Sequence, residues 1–235
     1  MAHPRAMVYR ESRVGPGFRG KKGAIISLYT QPPAYPEGVV LCLDEMGPVS
    51  AKSYQGRQLV SREPGCTRAK QQIDYGLRGA GYVFGAFKPQ DGNSYTQSYE
   101  RRNSSNWVDF LAEVDEWVPP QVQRVIAIID NLRMHRSQDA LLFSLLHPRW
   151  EFLFQPSVCA YLNLIEPWWK VLRSLALKGR RFETWAEVCR AIREATSYWN
   201  AHRHPFIWGK RRRHRYARCS HRQLSLGLAL PANVA

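Results

Sequence analysis

Residues 39–48 read VVLCLDEMGP, an apolar run that ends on two adjacent acids, Asp44 and Glu45, and breaks at Gly47-Pro48. Near-continuous apolar runs rich in Val and Ile mark strands buried on both faces, because a strand with one wet face alternates instead. RVIAIID at 124–130 is a second run of this kind, and it too ends in an aspartate, Asp130. Aspartate is common where a strand gives way to a turn, since its carboxylate bonds the local backbone. Each acid taken singly therefore has a plain structural explanation. Glu45, one residue after Asp44, points to the opposite face of the strand and is set aside as a neighbour.

Working outward, GYVFGAFKP (81–89) alternates like a strand and is expected to form an antiparallel meander with QQIDYGLRG (71–79) before it. WVDFLAEVDEW (107–117) places Trp107, Phe110, Leu111, Val114 and Trp117 at helical spacing, and Pro119-Pro120 stops it. SQDALLFSLLH (137–147) reads as a helix, WEFLFQP (150–156) as a strand, and 163–178 and 184–200 as two further helices. This order predicts an α/β fold, a mixed sheet flanked by helices on both faces, with 38–44 and 124–130 side by side and parallel. Asp44 and Asp130 then emerge at one edge, the carboxyl edge at which open α/β sheets bind ligands. Residues 1–37, with nine glycines and prolines, read as an arm with room for one short helix around KKGAIISLYT. The folded unit is 38–200, and 201–235 is a basic tail.

A formal charge of +15 and a pI near 10.0 imply a polyanionic partner, nucleic acid first. Five scattered cysteines form neither a disulfide framework nor a zinc site, and the histidines of the tail have no paired cysteines at ligand spacing. The expected location is the cytoplasm, with no membrane partner, because no run reaches the ~18 apolar residues of a span and the first residues lack the apolar core of a signal peptide. Between 201 and 222 there are eight Lys and Arg and no acid, interleaved with Phe206, Trp208 and Tyr216. That mixture favours phosphate contact by Lys210, Arg211, Arg212, Arg213 and Arg215 over a merely solvated run.

A third acid stands in YLNLIEPWWKVLR. Ile165, Trp168, Leu172 and Leu175 form a helical stripe, and Glu166, Trp169, Lys170 and Arg173 lie on an adjoining face. Pro167 confines Glu166 to the first turn or the cap. Asn163-x-x-Glu166 has the form of a capping box, and Glu166 with Lys170 that of an i, i+4 pair. Trp168 reads as core, while Trp169 is open to either packing or base stacking.

Asp44, Asp130 and Glu166, with DNLRMHRS after the second and YLNLIEPWWKVLR around the third, resemble the catalytic signature of DDE transposases, in the bacterial insertion-sequence branch of the mariner superfamily. The separations, 130 − 44 = 86 and 166 − 130 = 36, are of the family's kind. The resemblance covers about 38–200, and Leu164 departs from the family's Leu-Asn-Pro-Ile-Glu. It implies a ribonuclease H-like fold in which Asp44, Asp130 and Glu166 hold two Mg²⁺ (or Mn²⁺) ions and Asn131, His135 and Asn163 support them. Carboxylates suit that task because Mg²⁺ takes oxygen ligands and two ions need about three acids between them. The implied activity is cleavage of DNA and its strand transfer, on transposon ends and target DNA, with Lys170 and Arg173 beside the site on phosphates. The alternatives are a same-fold DNA nuclease without strand transfer and a non-catalytic DNA-binding remnant. The family's helix-turn-helix module has no counterpart in 1–37, so the expected protein partner is a separately encoded N-terminal DNA-binding half or a second copy in a homodimer, in the nucleoid of a bacterium.

Overall fold

A computed structural model of the chain describes residues 16–56, 74–76, 78–156 and 159–207. Five strands, β1 (Val39–Ser50), β2 (Ala80–Phe87), β3 (Ser94–Tyr99), β4 (Val125–Ile129) and β5 (Trp150–Phe154), form one mixed sheet in the order β3-β2-β1-β4-β5. β1 and β4 are parallel neighbours, in register from Val39↔Val125 to Cys42↔Ile128, as their twin apolar runs predict. β5 continues the parallel half, while β2 and β3 pair antiparallel on the other side of β1.

Two expectations change. β1 does not stop at the Gly47-Pro48 break but continues to Ser50, because β2 keeps pairing with it and the interruption is absorbed as a register shift between Met46 and Val49. The meander partner of β2 is β3, not QQIDYGLRG. The described residues of that stretch, 74–76 and 78–79, form no strand; Asp74 instead accepts from the Ser53 and Gly76 amides and pairs with Arg78.

Helices cover both faces. α2 (Ser104–Trp117) and α3 (Gln138–Leu146) pack on one, burying Trp107, Phe110, Leu111, Val114, Ala140 and Phe143 with Leu41, Leu43 and Ile129 of the sheet. Asn103 starts α2 by accepting from the Asn106 amide at 2.8 Å, and Ser137 caps α3 in the same way. α4 (Ile165–Ala176) and α5 (Trp185–Ala201) cover the other face, joined by α1 (Pro16–Thr30). α1 is longer than the short helix expected in the arm. Ile25 is fully buried in the shared core, and Tyr29 Oη donates to the Leu162 carbonyl at 2.6 Å. On α4 the buried residues are Ile165, Trp168, Trp169, Leu172 and Ala176, and Leu175, expected in the stripe, is 39% exposed. Among the described residues no helix is long and apolar enough to cross a membrane.

Candidate active site

The β1–β4 pairing ends at Cys42↔Ile128 and β4 at Ile129, so Asp130 leaves the sheet beside the point where β1 carries on with Asp44. Strand alternation then separates the two acids of β1. Asp44 faces α4, where Trp169 Nε1 donates to its Oδ2 at 3.3 Å. Glu45 faces the α2 side, its side chain only 4% exposed. Opposite Asp44 on β2 stands Gly85, and a Cβ there would lie 2.4 Å from Trp169 Cη2 and 3.1 Å from Ile165 Cδ1. The missing side chain makes the space in which Trp169 reaches Asp44.

Glu166 occupies the first turn of α4 and is exposed, as Pro167 requires. The turn before it is anchored by Asn163, which is 1% exposed and donates from Nδ2 to the Leu43 carbonyl at 2.9 Å, next to Asp44. The capping box does not form. The cap position is Leu164, the Asn163 amide donates to Ala160 instead, and Asn163 Oδ1 meets only the Ile165 amide at 3.5 Å. Asn163 works as a bridge between β1 and α4.

The second acid has its own support. A 3₁₀ turn, Arg133–Arg136, follows Asp130, and Asp130 Oδ1 accepts from the Leu132 amide at 2.9 Å. It also brings His135 Nδ1 within 2.8 Å of Asp130 Oδ1, while His135 Nε2 lies 3.5 Å from Glu45 Oε2. Neither ring nitrogen aligns its N–H on an acceptor, so these contacts act as ion pairs rather than directed hydrogen bonds. The imidazole is buried, with its centroid 4.2 Å from the Trp107 ring. Arg102 Nη1 approaches Glu45 from outside at 3.5 Å. Asn131 closes the turn on the sheet edge, donating to the Gln155 carbonyl at 2.7 Å and accepting from Arg136.

The charges are unevenly balanced. Asp44 is pushed up to about 7, chiefly by burial, then by the like charges of Glu45, Glu166 and Asp130. Burial also works to raise Asp130, but the contact and charge of His135, the Leu132 amide and Arg102 outweigh it and hold Asp130 below its ordinary value. Burial works to lower His135, yet Asp130 and Glu45 raise it to about 9, which keeps it cationic at neutral pH. Glu45, set aside on sequence grounds, is thus part of the site's electrostatics. Its signal was present only in the alternation that sent it to the other face.

Asp44 lies within range of the charges of both Asp130 and Glu166. Among the described residues, however, no three His, Cys, Asp or Glu side chains are gathered into a preformed metal cage. Asp130 is turned to His135, Asp44 to Trp169, and Glu166 stands in solvent. The donor set, oxygen only and mutually repulsive, still fits a hard divalent cation, whose charge would offset the repulsion that raises Asp44. Lys170 is exposed one turn beyond Glu166, and Arg173 rests its Nε 2.9 Å from Met46 Sδ. Lys210, Arg211, Arg212, Arg213 and Arg215 lie outside the described residues. Phe206 does not wait for a base: its ring packs 4.7 Å from Phe87 and 6.0 Å from Trp199.

The fold is similar to that of the Mos1 transposase in a paired-end complex with the left transposon end, at 13% identity and TM-score 0.58, covering 86% of this chain and 62% of that one. It is similar to the Mos1 mariner paired-end complex with Mn, at 14% and 0.51, covering 82% and 64%. The Mos1 transposase catalytic domain with raltegravir and Mg matches at 13% and 0.50, covering 84% and 89%. At these identities the likeness is one of fold, and it makes the five-stranded sheet ribonuclease H-like. The chain spans 62% of the length of the first of these relatives. No curated protein matches it. A model of the DDE superfamily endonucleases matches residues 39–189, more than half of the chain and all five strands, and the protein belongs to that family.

Proposed function

We propose that this chain is the catalytic domain of a transposase of the mariner type, in its bacterial insertion-sequence branch, which cuts DNA at element ends and joins the freed 3′-hydroxyl to target DNA. The observation that carries the proposal is the meeting of Asp44 and Asp130 where the parallel pairing of β1 and β4 ends, with Glu166 close enough to raise Asp44. Mos1 has been solved with Mn, with Mg and with a transposon end, which supports the same class of ion and substrate here. Asp44, Asp130 and Glu166 would hold the divalent ions, and bound there they would activate the attacking oxygen and stabilise the departing one. His135, kept cationic by Asp130 and Glu45, holds Asp130 ionised and stands against one of its oxygens. Trp169 and Asn163 set the distance between Asp44 and the turn that carries Glu166. Lys170 and Arg173 supply positive charge beside the scissile phosphate.

Asp44→Asn, Asp130→Asn and Glu166→Gln, each assayed on labelled DNA in Mg²⁺ or Mn²⁺, should each lower cleavage by at least ~100-fold. Binding to the same DNA should stay within about twofold, because fixed cations and not these acids supply the affinity. Full cleavage by any one of the three variants would overturn the assignment. A precleaved end offered with target DNA separates strand transfer from simple hydrolysis.

A further inference from the structure

A groove of about 620 Å³ runs away from the carboxylates between the far end of β1 and the C-terminal half of α4. One rim carries Lys170 and Arg173 on α4 and Lys178 just past its end, and the other carries Lys52. Lys170 and Ser174 are four residues apart on α4, about 6 Å along the axis, and Lys178 stands in the turn that follows the helix. Among the described residues none of these four cations has a carboxylate partner, and no acid lines the groove. Between the cations the lining sets apolar and aromatic surface, Pro48, Val49, Leu177 and the Tyr54 ring, beside the polar Ser50, Gln55 and Ser174, and Lys52 Nζ stands 5.6 Å from the Tyr54 centroid.

The groove is built rather than incidental. Its two walls are tied by backbone bonds: Tyr54 N–H to the Arg180 carbonyl at 2.8 Å, Gly179 N–H to the Tyr54 carbonyl at 3.0 Å, and Phe182 N–H to the Lys52 carbonyl at 3.3 Å. Gly179, at φ +77°, lets the chain turn back for this contact, and its Cα lies 3.3 Å from where a Cβ on Gly56 would sit. Tyr54 is held in place by donating to the Ser50 carbonyl at 2.7 Å and by the edge of Phe182.

We propose that this groove is a track for a single DNA strand, which seats its phosphates on Lys52, Lys170, Arg173 and Lys178 and its unpaired bases against Tyr54 and the apolar wall. Two features favour one strand over a duplex. The volume is that of a site for one or two small-molecule units, ~300–1,000 Å³, and the alternation of cation and apolar surface matches a backbone with exposed base faces. A duplex would present phosphates alone and leave the apolar wall uncovered. The proposal rests on Asp44, Asp130 and Glu166 as the site of cleavage, since that reading makes the groove the continuation of the reacting strand.

The test is equilibrium binding by fluorescence anisotropy, without divalent metal, of a labelled single-stranded oligonucleotide and its duplex over a range of salt. Three full-length proteins are compared with the wild type. One is Lys52→Gln with Lys178→Gln, one is Lys52→Ala with Lys178→Ala, and the control is Arg190→Gln with Arg193→Gln on α5, which removes equal charge elsewhere. With two phosphates no longer neutralised, the log–log salt slope on the single strand should fall by about 1.4, with a smaller change on the duplex and none beyond wild type in the control. Melting curves identify any variant that is unfolded, and the Gln pair, which keeps most of the side-chain length, serves if the Ala pair is. An unchanged slope, a fall matched by the control, or a larger fall on the duplex would each overturn the track. The cleavage reading fails separately, by an Asp44→Asn protein that still cuts, whatever the slopes show.

Discussion

Asp44 is the residue on which most of the site's physics converges. Burial and the like charges of Glu45, Glu166 and Asp130 raise it to about 7 in the native protein, while the unfolded chain titrates near the usual carboxylate value of ~3.9. The native state therefore holds a proton that the unfolded chain has released, and stability falls as pH rises through that interval. Asp44→Asn should remove the fall and raise stability at pH 7.5 by roughly 2–4 kcal/mol, read from thermal or urea melts at pH 5 and 7.5. His135 acts higher on the scale: its raised value gives stability that is complete below ~6.5 and is lost as pH passes about 9. A divalent ion on the three acids should invert the first trend, so Mg²⁺ should raise Tm more at pH 7.5 than at pH 5, and not in Asp44→Asn. A Tm indifferent to Mg²⁺ at both pH values would count against these acids as ligands.

At the scale of elements, the contact between β2 and α4 is the one most open to a single change. Gly85→Ala puts a methyl 2.4 Å from Trp169 Cη2, backed by the Ile165 side chain, so the helix rather than a flexible tip must give way. The expected cost is about 1–3 kcal/mol, together with a shift in tryptophan emission and a loss of cleavage larger than the loss of stability explains. Unaltered cleavage at normal stability would show that the Trp169–Asp44 contact is dispensable. This pair also marks the limit of what the sequence discloses. β1 and β4 were legible from the apolar runs 39–43 and 125–129, buried on both faces, and Asp44, Asp130 and Glu166 stood out because two of them end those runs. β3, SYTQSY, was not legible, because polar partners bury its inward residues: Ser94 bonds Asn200, and Thr96 bonds Thr196 of α5. The full extent of α1 was hidden by Gly20 and Gly23, and what holds that helix is Ile25 and Tyr29 on distant partners. Trp169 sits at the border of the helical stripe, and only the empty space above Gly85 decides its place. Contacts of this kind, between residues more than eighty apart, leave no local periodicity.

For the molecule as a whole, we expect a charge of +15 to make DNA affinity strongly dependent on salt and only weakly on sequence. We expect the segment beyond Ile207 to bind phosphates through its arginines. Because Phe206 packs on Phe87 and its amide donates to Pro89, a truncation that preserves the fold begins after Ile207 and not at Ala201. Removing 208–235 should weaken binding alike on all duplexes and reduce the salt slope by about 0.9 for each phosphate that the segment had neutralised; an unchanged slope would show that the segment is merely solvated. The parallel register of β1 and β4 has a kinetic meaning as well. Asp44 and Asp130 are 86 residues apart in the chain, and only this pairing brings them together, whereas β2 and β3 can zip up as a near-local hairpin. Pairings of such long sequence separation carry the largest loop-closure cost and form late. A chain paired only through the antiparallel half would hold Asp44 on β1 without Asp130 beside it, so on the proposed function the capacity to cut DNA would arrive only when β4 joins β1.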